Sequence, residues 1–309
     1  MQRFALASLT ALVAMAGGCA RQRFMTLERE ARGLVVVLPG VEGRGPLNRA
    51  ICDGLNLGRV DWGIKLEDWT APFGPIYNLR AEDHNRRKAA EISVKLAEYK
   101  YAHPNNPVVL VGHSGGGAMA LWIAESMPPN QDLDGVILLS PAISPPYLVD
   151  FALSRTRRGV ISFYSHRDWV FLGLGTTISG TMDGHHTSSA GRVGFVIPST
   201  PHRSKHYSKL YQIAWHERMA EMGHKGGHFS SSAEAFVAAY VAPFVLAGQW
   251  NDEVVADVLS RRPPRTTAPP VELPSPAPSR TRPAPRPAAA VTRPATRPLG
   301  PAVQVRDVP

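Results

Sequence analysis

Cysteine is scarce in this chain of 309 residues, which contains only Cys19 and Cys52. Cys19 lies in a segment that we interpret below as an export signal, so Cys52 has no disulfide partner inside a folded domain. Such a domain must be stabilised by its hydrophobic core, without the disulfides that hold together many small exported domains. A hydrophobic content of 44% is ample for that core.

The apolar run at the N-terminus, residues 4–16, is too short to span a bilayer. It follows Arg3 and ends in Gly17-Gly18-Cys19, which is typical of a secretory signal peptide with a small-residue cleavage site. The cysteine resembles that of a bacterial lipobox, although Ala16 stands where this motif usually has Leu. The resemblance implies a lipid on Cys19 and a membrane anchor without a spanning helix. The alternative is an ordinary signal peptide that contains a cysteine, in which case the protein is secreted.

Acidic residues are outnumbered, with 25 acids against 34 lysines and arginines and a net charge of +9. Most of this charge lies after residue 260, where nine arginines accompany two acids and fourteen prolines. Such a segment cannot build a core, so we predict a disordered or polyproline II tail. An exported protein rarely meets nucleic acid, so an anionic envelope polymer or lipid headgroups are the expected partners of the arginines. A solvated spacer is the simpler alternative.

Composition therefore divides the chain into a signal peptide over 1–18, a lipidated lead-in over 19–32, a folded domain over 33–250 and the tail over 251–309. Within the domain, apolar strands alternate with helical segments. The predicted strands are 33–38, 62–69, 108–111, 135–140, 160–164 and 210–215, and the predicted helices are 48–57, 81–101, 118–125, 146–154 and 233–246. This alternation predicts an α/β fold with a doubly wound, mostly parallel sheet. No insertion between the strands is long enough for a large cap domain.

Two motifs of cofactor chemistry are missing from the sequence. A phosphate-binding loop needs Gly-x-x-x-x-Gly-Lys followed by Ser or Thr, and no lysine follows the glycine-rich stretch 112–117. The metal motif His-Glu-x-x-His is also missing. Two histidine pairs have the spacing of helical metal ligands: His202 with His206, and His224 with His228. Gly226-Gly227 disfavours a helix at the second pair, and we expect neither a metal nor a cofactor.

The most informative stretch is Gly112-His113-Ser114-Gly115-Gly116, which joins the strand 108–111 to the helix that follows. A strand that turns into a helix within a few residues strains the residue at the turn and exposes its side chain. Small neighbours let the two elements approach, and the glycines of this Gly-x-Ser-x-Gly pattern supply them. We therefore predict that Ser114 presents a free hydroxyl, with the amide of Gly115 at the positive end of the helix.

A serine nucleophile needs a base, usually histidine, and a carboxylate that orients the base. Asp168 follows the strand 160–164, and parallel strands all end at the rim where Ser114 lies. We therefore take Asp168 as the acid. Asp183, in the next loop, is its rival, and Asp150 lies in a predicted helix that is better explained as surface.

The base is chosen from eleven histidines. His228 lies in a glycine-rich loop between the last strand and the last helix, where its side chain can reach over Ser114. His224, four residues earlier, is the alternative. We interpret the remaining histidines, His113 and His166 among them, as surface or loop residues.

Ser114, Asp168 and His228 occur in the chain order that α/β-hydrolases use, and residues 33–246 resemble that superfamily. The resemblance implies that Ser114 is the nucleophile of an acyl-enzyme reaction. It also implies that Asp168 is the acid after the family's seventh strand and that His228 is the base.

The same resemblance implies an oxyanion hole made by two backbone amides, those of Gly115 and Val41. Val41 follows Pro39-Gly40 at the end of the first strand, where many members of the superfamily have His-Gly.

We therefore predict a serine hydrolase of the cell envelope that cleaves a carboxylic ester, esterase-like or lipase-like, with a small-molecule or lipid ester as substrate. A peptidase or an acyltransferase would use the same residues. The alternative from a different class is a non-catalytic envelope protein that keeps the fold as a binding scaffold, because a fold does not fix a function.

Overall fold

A computed structural model describes residues 23–168, 171–172, 176–177, 180–199 and 204–261. The predicted signal peptide, the predicted lipidation site Cys19 and most of the predicted tail lie outside these residues, as does His202.

The centre of the fold is a six-stranded sheet in which every neighbouring pair is parallel. Its strands are β1 (Leu34–Leu38), β2 (Gly63–Leu66), β3 (Val108–His113), β4 (Gly135–Leu139), β5 (Val160–Tyr164) and β8 (Leu210–Ala214). Their order across the sheet is β2-β1-β3-β4-β5-β8. A separate antiparallel pair, β6 (Phe171–Leu172) and β7 (Thr176–Thr177), lies in the connection between β5 and β8.

Helices connect the strands. They are α1 (Leu27–Glu30), α2 (Pro46–Leu57), α3 (Pro75–Arg80), α4 (Glu82–Ala102), α5 (Gly115–Glu125), α6 (Asp150–Ser154), α7 (Ala190–Val193), α8 (Glu217–Ala220), α9 (Glu234–Phe236), α10 (Ala242–Leu246) and α11 (Asp252–Ser260). Two 3-10 segments, Lys205–Lys209 and His228–Ser232, and a π-helical turn, Val237–Val241, complete the described elements. Within the described residues no helix is both long enough and apolar enough to cross a membrane.

The sheet is buried on both faces because successive strand residues point to opposite sides. In β1, Leu34, Val36 and Leu38 belong to one core cluster, and Val35 and Val37 belong to the other. The first cluster contains the inner faces of α4, α5 and α6, and the second contains those of α2, α10 and α11. The prediction of a doubly wound parallel sheet is therefore confirmed.

The end of the domain differs from the sequence-based prediction. Residues 252–260, which we placed in the tail, form α11. The Asn251 side chain caps this helix by accepting a hydrogen bond from the amide of Val254 at 2.8 Å, and Val258 is only 1% exposed. The tail boundary at 251 was wrong, because α11 packs on the core of the domain.

Two predicted helices are not continuous over the residues that the sequence pattern covers. The segment 146–154 is helical only from Asp150, after Pro145-Pro146. The closing helix is interrupted by the π-helical turn just before Pro243. Proline has no N–H to donate to the preceding turn, and its ring crowds the carbonyl four residues earlier, so a wider turn accommodates it.

Candidate active site

Ser114 lies between β3 and α5, and its backbone has a conformation that residues other than glycine rarely adopt. Its φ is 55° and its ψ is −121°. The strain is held by hydrogen bonds, because the amide of Ser114 donates to the carbonyl of Leu139 at 3.0 Å and its carbonyl accepts from the amide of Ala142 at 2.9 Å. A strained residue that its surroundings hold in place is characteristic of a functional turn.

The glycines around Ser114 leave no room for a side chain. A Cβ added to Gly112 would lie 2.2 Å from the carbonyl oxygen of Gly116, and one added to Gly116 would lie 2.2 Å from that of Leu38. The strand, the helix and the loop after β1 therefore approach one another at backbone distance, as expected for a Gly-x-Ser-x-Gly turn.

Ser114, His228 and Asp168 form a continuous chain of hydrogen bonds. Ser114 Oγ lies 2.8 Å from His228 Nε2, and His228 Nδ1 lies 3.0 Å from Asp168 Oδ2. Because a carboxylate only accepts, Nδ1 carries the proton and Nε2 is left to accept the serine hydroxyl. The three residues are 7%, 4% and 2% exposed, respectively, so the chain is shielded from water but reachable at the serine.

Asp168 is positioned by the turn that follows β5. Its amide donates to the carbonyl of Ser165 at 2.8 Å, and the amide of Arg167 donates to Ser165 Oγ at 3.2 Å. The amide of Ser165 is itself bonded to the carbonyl of Gly191 at 2.9 Å. The turn thus places the carboxylate at the same rim of the sheet as Ser114.

His228 begins the 3-10 segment after β8, and its carbonyl accepts two hydrogen bonds. Ser231 Oγ donates at 2.8 Å and His113 Nε2 at 3.3 Å. The His113 ring also packs against the His228 ring, with 5.2 Å between their centroids. Complete burial, and to a lesser degree the neighbouring His228, lower the pKa of His113 to about 3. His113 is therefore neutral at physiological pH.

The interpretation of His113 as a surface or loop residue was wrong, because it is 0% exposed. It is the last residue of a buried strand and the immediate neighbour of Ser114, and that position was the sequence signal for burial. His166 is exposed, as expected.

The loop after β1 lies against the start of α5. A Cβ added to Gly115 would come within 2.8 Å of Val41 Cγ1, so Val41 and Gly115 are adjacent. The Val41 carbonyl accepts from Asn78 Nδ2 at 3.0 Å, and the Pro39 carbonyl accepts from Trp69 Nε1 at 2.7 Å. The sequence did not reveal these two anchoring side chains, since their partners are distant in the chain.

The amides of Val41 and Gly115 are both free to act as donors. Gly115 is the first residue of α5, where an N–H has no partner within the helix. In the described part of the chain, the amide of Val41 makes no backbone hydrogen bond. Two free amides on adjacent backbone segments next to a serine are the arrangement that binds an oxyanion.

Comparison with known protein families matches residues 89–168 to the model described as serine aminopeptidase, S33. This segment includes Ser114 and Asp168 and covers about a quarter of the chain. The sheet order, the serine turn and the chain order of the three residues agree with this match. The fold is that of an α/β-hydrolase. A comparison with curated proteins found no match.

Solved structures with a similar fold are remote in sequence. Aspergillus fumigatus lipase B is 13% identical, with a TM-score of 0.45 over 78% of this chain and 59% of that one, so the chain spans less than two thirds of the lipase. A pyrethroid hydrolase from Sphingobium faniae is 12% identical, with a TM-score of 0.41 over 70% and 98% of the two chains. Est1E from Butyrivibrio proteoclasticus is 15% identical, with a TM-score of 0.43 over 74% and 90%.

The rival acids lie elsewhere in this α/β-hydrolase fold. Asp183 accepts hydrogen bonds from both the amide and the hydroxyl of Ser144, with the amide at 3.0 Å, and so ties two loops together. Asp150 begins α6 and pairs with His206 Nδ1 at 3.4 Å. Neither carboxylate contacts His228.

The alternative base is also engaged elsewhere. His224 Nδ1 lies 2.9 Å from Ser230 Oγ. Burial, and then the neighbouring His216, lower the pKa of His224 to about 4. Within the described residues no three histidine, cysteine, aspartate or glutamate side chains form a group that could hold a metal ion.

Proposed function

We propose that this chain is a serine hydrolase that cleaves a carboxylic ester through an acyl-enzyme on Ser114. The observation that carries the proposal is the 2.8 Å hydrogen bond between Ser114 Oγ and His228 Nε2. A serine hydroxyl is a poor nucleophile at neutral pH, and a histidine at this distance can remove its proton as attack proceeds. The buried Asp168 carboxylate holds the imidazole in the required tautomer.

In the first half of the reaction, Ser114 Oγ attacks the ester carbonyl carbon while its proton moves to His228 Nε2. The carbonyl oxygen becomes an oxyanion, and the amides of Gly115 and Val41 are its donors. When this intermediate collapses, the ester C–O bond breaks and His228 gives the proton to the departing alcohol. In the second half, water attacks the acyl carbon while His228 Nε2 takes one of its protons. When this second intermediate collapses, the bond between the acyl carbon and Ser114 Oγ breaks, His228 returns the proton to Ser114 Oγ, and the carboxylic acid leaves.

Covalent labelling by a fluorophosphonate tests the proposal, because this reagent phosphonylates activated serines with loss of fluoride. The chain from residue 20 onward, which contains every described residue, is expected to be labelled at Ser114, as located by mass spectrometry of the modified peptide. Ser114→Ala and His228→Ala are expected to abolish labelling. His224→Ala is the matched control, and it is expected to retain labelling because His224 has no contact with Ser114.

Two results would contradict the proposal. Labelling that persists in Ser114→Ala would place the activated nucleophile elsewhere. If the chain is folded, as shown by cooperative unfolding in urea, and is still not labelled, the result would favour the alternative of a non-catalytic binding scaffold with the same fold.

A peptidase is the second candidate, because the matched family model is described as a serine aminopeptidase. The same residues can cleave an amide, provided that His228 protonates the departing amine. Parallel assays with a p-nitrophenyl ester and an aminoacyl p-nitroanilide separate the two. We expect the ester to be the better substrate, and a higher kcat/KM on the anilide would reverse the assignment.

We further propose that the protein is exported and held at a membrane surface by lipid on Cys19. Support comes from the sequence of the first 19 residues, which combines Arg3, a short apolar run and Gly17-Gly18-Cys19. Mass spectrometry of the N-terminal peptide from the membrane fraction tests this, with a diacylated or triacylated Cys19 as the expected result. An unmodified N-terminus in the medium would indicate secretion.

A further inference from the structure

A cavity of about 350 Å³ lies at the edge of the sheet, beside the edge strand β2. This volume is within the range of small-molecule sites, about 300–1,000 Å³. The cavity is lined by Arg23, Phe24, Arg44, Arg49, Cys52, Asp53, Ile64 and Leu66. None of these residues belongs to the serine site, so the cavity needs an explanation of its own.

The charged residues of the cavity are mostly arginines that lack carboxylate partners. Arg23 pairs with Asp53 at 3.2 Å. The Arg44 guanidinium donates one hydrogen bond, to the carbonyl of Leu66 at 3.0 Å, and keeps further N–H groups free, while the Arg44 backbone amide donates to Asp68 Oδ2 at 3.4 Å. In the described part of the chain, Arg49 is exposed and makes no ion pair or side-chain hydrogen bond. Three arginines and one aspartate leave a net charge of +2, which is complementary to an anion.

The floor of the cavity is apolar. Ile64 and Leu66 of β2 are 1% and 7% exposed, and Cys52 of α2 is 8% exposed. Burial, followed by the neighbouring Asp53, raises the pKa of Cys52 to about 12, so the thiol is neutral and adds no charge to the floor. An occupant that fits both parts combines an anionic group with hydrocarbon. Guanidinium groups favour phosphate oxygens, which they bind in a bidentate manner.

The cavity is lined in part by residues that lie close in sequence to Cys19, and this indicates the source of such an occupant. Arg23 and Phe24, at the start of the described residues, line the cavity. Cys19 precedes Arg23 by four residues, and four extended residues span at most about 14 Å. If Cys19 carries lipid, as proposed above, the cavity is therefore held close to a bilayer surface, where phosphodiester headgroups are concentrated.

We propose that this cavity binds the headgroup phosphate of an anionic phospholipid, with Arg44 and Arg49 contacting the phosphate and the apolar floor contacting the adjacent hydrocarbon. The lipid anchor proposed for Cys19 supplies the membrane, and the cavity fixes which side of the domain faces it. This role is independent of hydrolysis at Ser114.

Vesicle binding of the unlipidated chain from residue 20 onward tests the proposal without the anchor. The variant Arg44→Gln/Arg49→Gln is compared with Arg87→Gln/Arg218→Gln, in which two exposed arginines from other surfaces are replaced with the same loss of charge. Because an arginine near an anionic membrane changes binding about fivefold, the cavity pair is expected to weaken binding to phosphatidylglycerol-containing vesicles by about 30-fold. The control pair is expected to weaken vesicle binding far less. Both double variants keep the arginines of the tail, so these contribute equally to binding in the two variants.

A third variant tests whether binding depends on the interior volume of the cavity as well as on the charge of its arginines. Cys52→Met narrows the cavity at constant charge, and we expect it to weaken binding to the anionic vesicles while binding to pure phosphatidylcholine stays unchanged. Urea unfolding verifies that each variant is folded. If the double variant is unfolded, Arg49→Gln alone is expected to weaken binding about fivefold.

Equal losses from the cavity pair and the control pair would overturn the proposal, because binding would then follow net charge alone. Full binding by Cys52→Met would also overturn it. A chain that binds vesicles through this cavity but fails fluorophosphonate labelling would contradict the proposed hydrolase and leave the headgroup site standing.

Discussion

At the scale of single residues, Asp168 fixes the tautomer on which the proposed reaction depends. Its carboxylate lies 3.0 Å from His228 Nδ1. In Asp168→Asn the amide nitrogen can donate to Nδ1, which turns the imidazole to the tautomer that cannot accept the Ser114 proton. We expect kcat for ester hydrolysis to fall by about 10⁴-fold with little change in KM, as measured by steady-state kinetics.

Asp183→Asn is the matched control for this substitution. Asp183 was the alternative to Asp168 as the acid in the sequence analysis, but its carboxylate oxygens accept hydrogen bonds from Ser144 and not from His228. We expect it to lower stability and to leave kcat within a few-fold of the unmodified chain. Equal losses of kcat in the two variants would refute the assignment of Asp168 as the acid.

The three residues of the site could be chosen from sequence because each follows a recognisable strand. Ser114, Asp168 and His228 come after β3, β5 and β8, and in a parallel sheet those ends share one rim. His113 could not be assigned in the same way. Its contact with the carbonyl of His228 joins residues 115 positions apart, and no local pattern encodes such a contact.

At the scale of elements, the turn between β3 and α5 depends on contacts between backbone atoms. In Gly116→Ala the new Cβ would lie 2.2 Å from the carbonyl oxygen of Leu38, and neither backbone can retreat without moving β1 or α5. We expect a loss of about 3 kcal/mol or more in the free energy of unfolding, measured by urea denaturation, together with loss of fluorophosphonate labelling.

Gly248→Ala provides the comparison, since no heavy atom lies within 4 Å of a Cβ added there. We expect it to leave stability within about 0.5 kcal/mol of the unmodified chain. If Gly116→Ala were as stable as Gly248→Ala, the close approach of the loop after β1 to α5 would be incorrect.

The elements that the sequence predicted well are those with a strong apolar pattern, and the failures have physical causes. The strands 135–140 and 160–164 match β4 and β5 closely because every residue in them is apolar or small. The helix α11 was missed although Val254, Val255, Val258 and Leu259 have helical spacing, because it is only nine residues long and runs directly into a proline-rich segment. Pro243 near the end of the closing helix already indicates an irregularity in the sequence, but periodicity does not reveal that this irregularity is a π-helical turn.

At the scale of the whole molecule, two buried histidines make stability depend on pH. Burial lowers the pKa of His113 to about 3 and that of His224 to about 4. In the unfolded chain both titrate near pH 6.5. At a pH between the folded and the unfolded pKa of each histidine, the unfolded state binds more protons than the folded state, so acid favours unfolding. We expect the free energy of unfolding to be level above about pH 7 and to fall, from pH 6.5 to pH 5, by about 1.4 kcal/mol per pH unit for each histidine.

Urea unfolding at several pH values measures this slope. In His224→Gln we expect the slope to be smaller by one histidine's share, whereas substitution of the exposed His166 serves as the control and leaves the slope unchanged. A free energy of unfolding that rises as the pH falls from 6.5 to 5 would contradict the neutral, buried state of both histidines.

The boundary of the folded domain is the remaining feature of the whole molecule, and two truncations locate it. Val258 of α11 is 1% exposed, and Trp250 before it is held by Tyr211 Oη, which donates to its carbonyl at 2.8 Å. A chain that ends at residue 261 keeps these contacts, so its urea midpoint is expected to equal that of the full chain. A chain that ends at residue 250 exposes the surface under α11 and is expected to lose about 3 kcal/mol. Equal stability of the two truncated chains would mean that residues 252–260 belong to the tail. The expected difference in stability would mean that α11 is the last structural element of the domain.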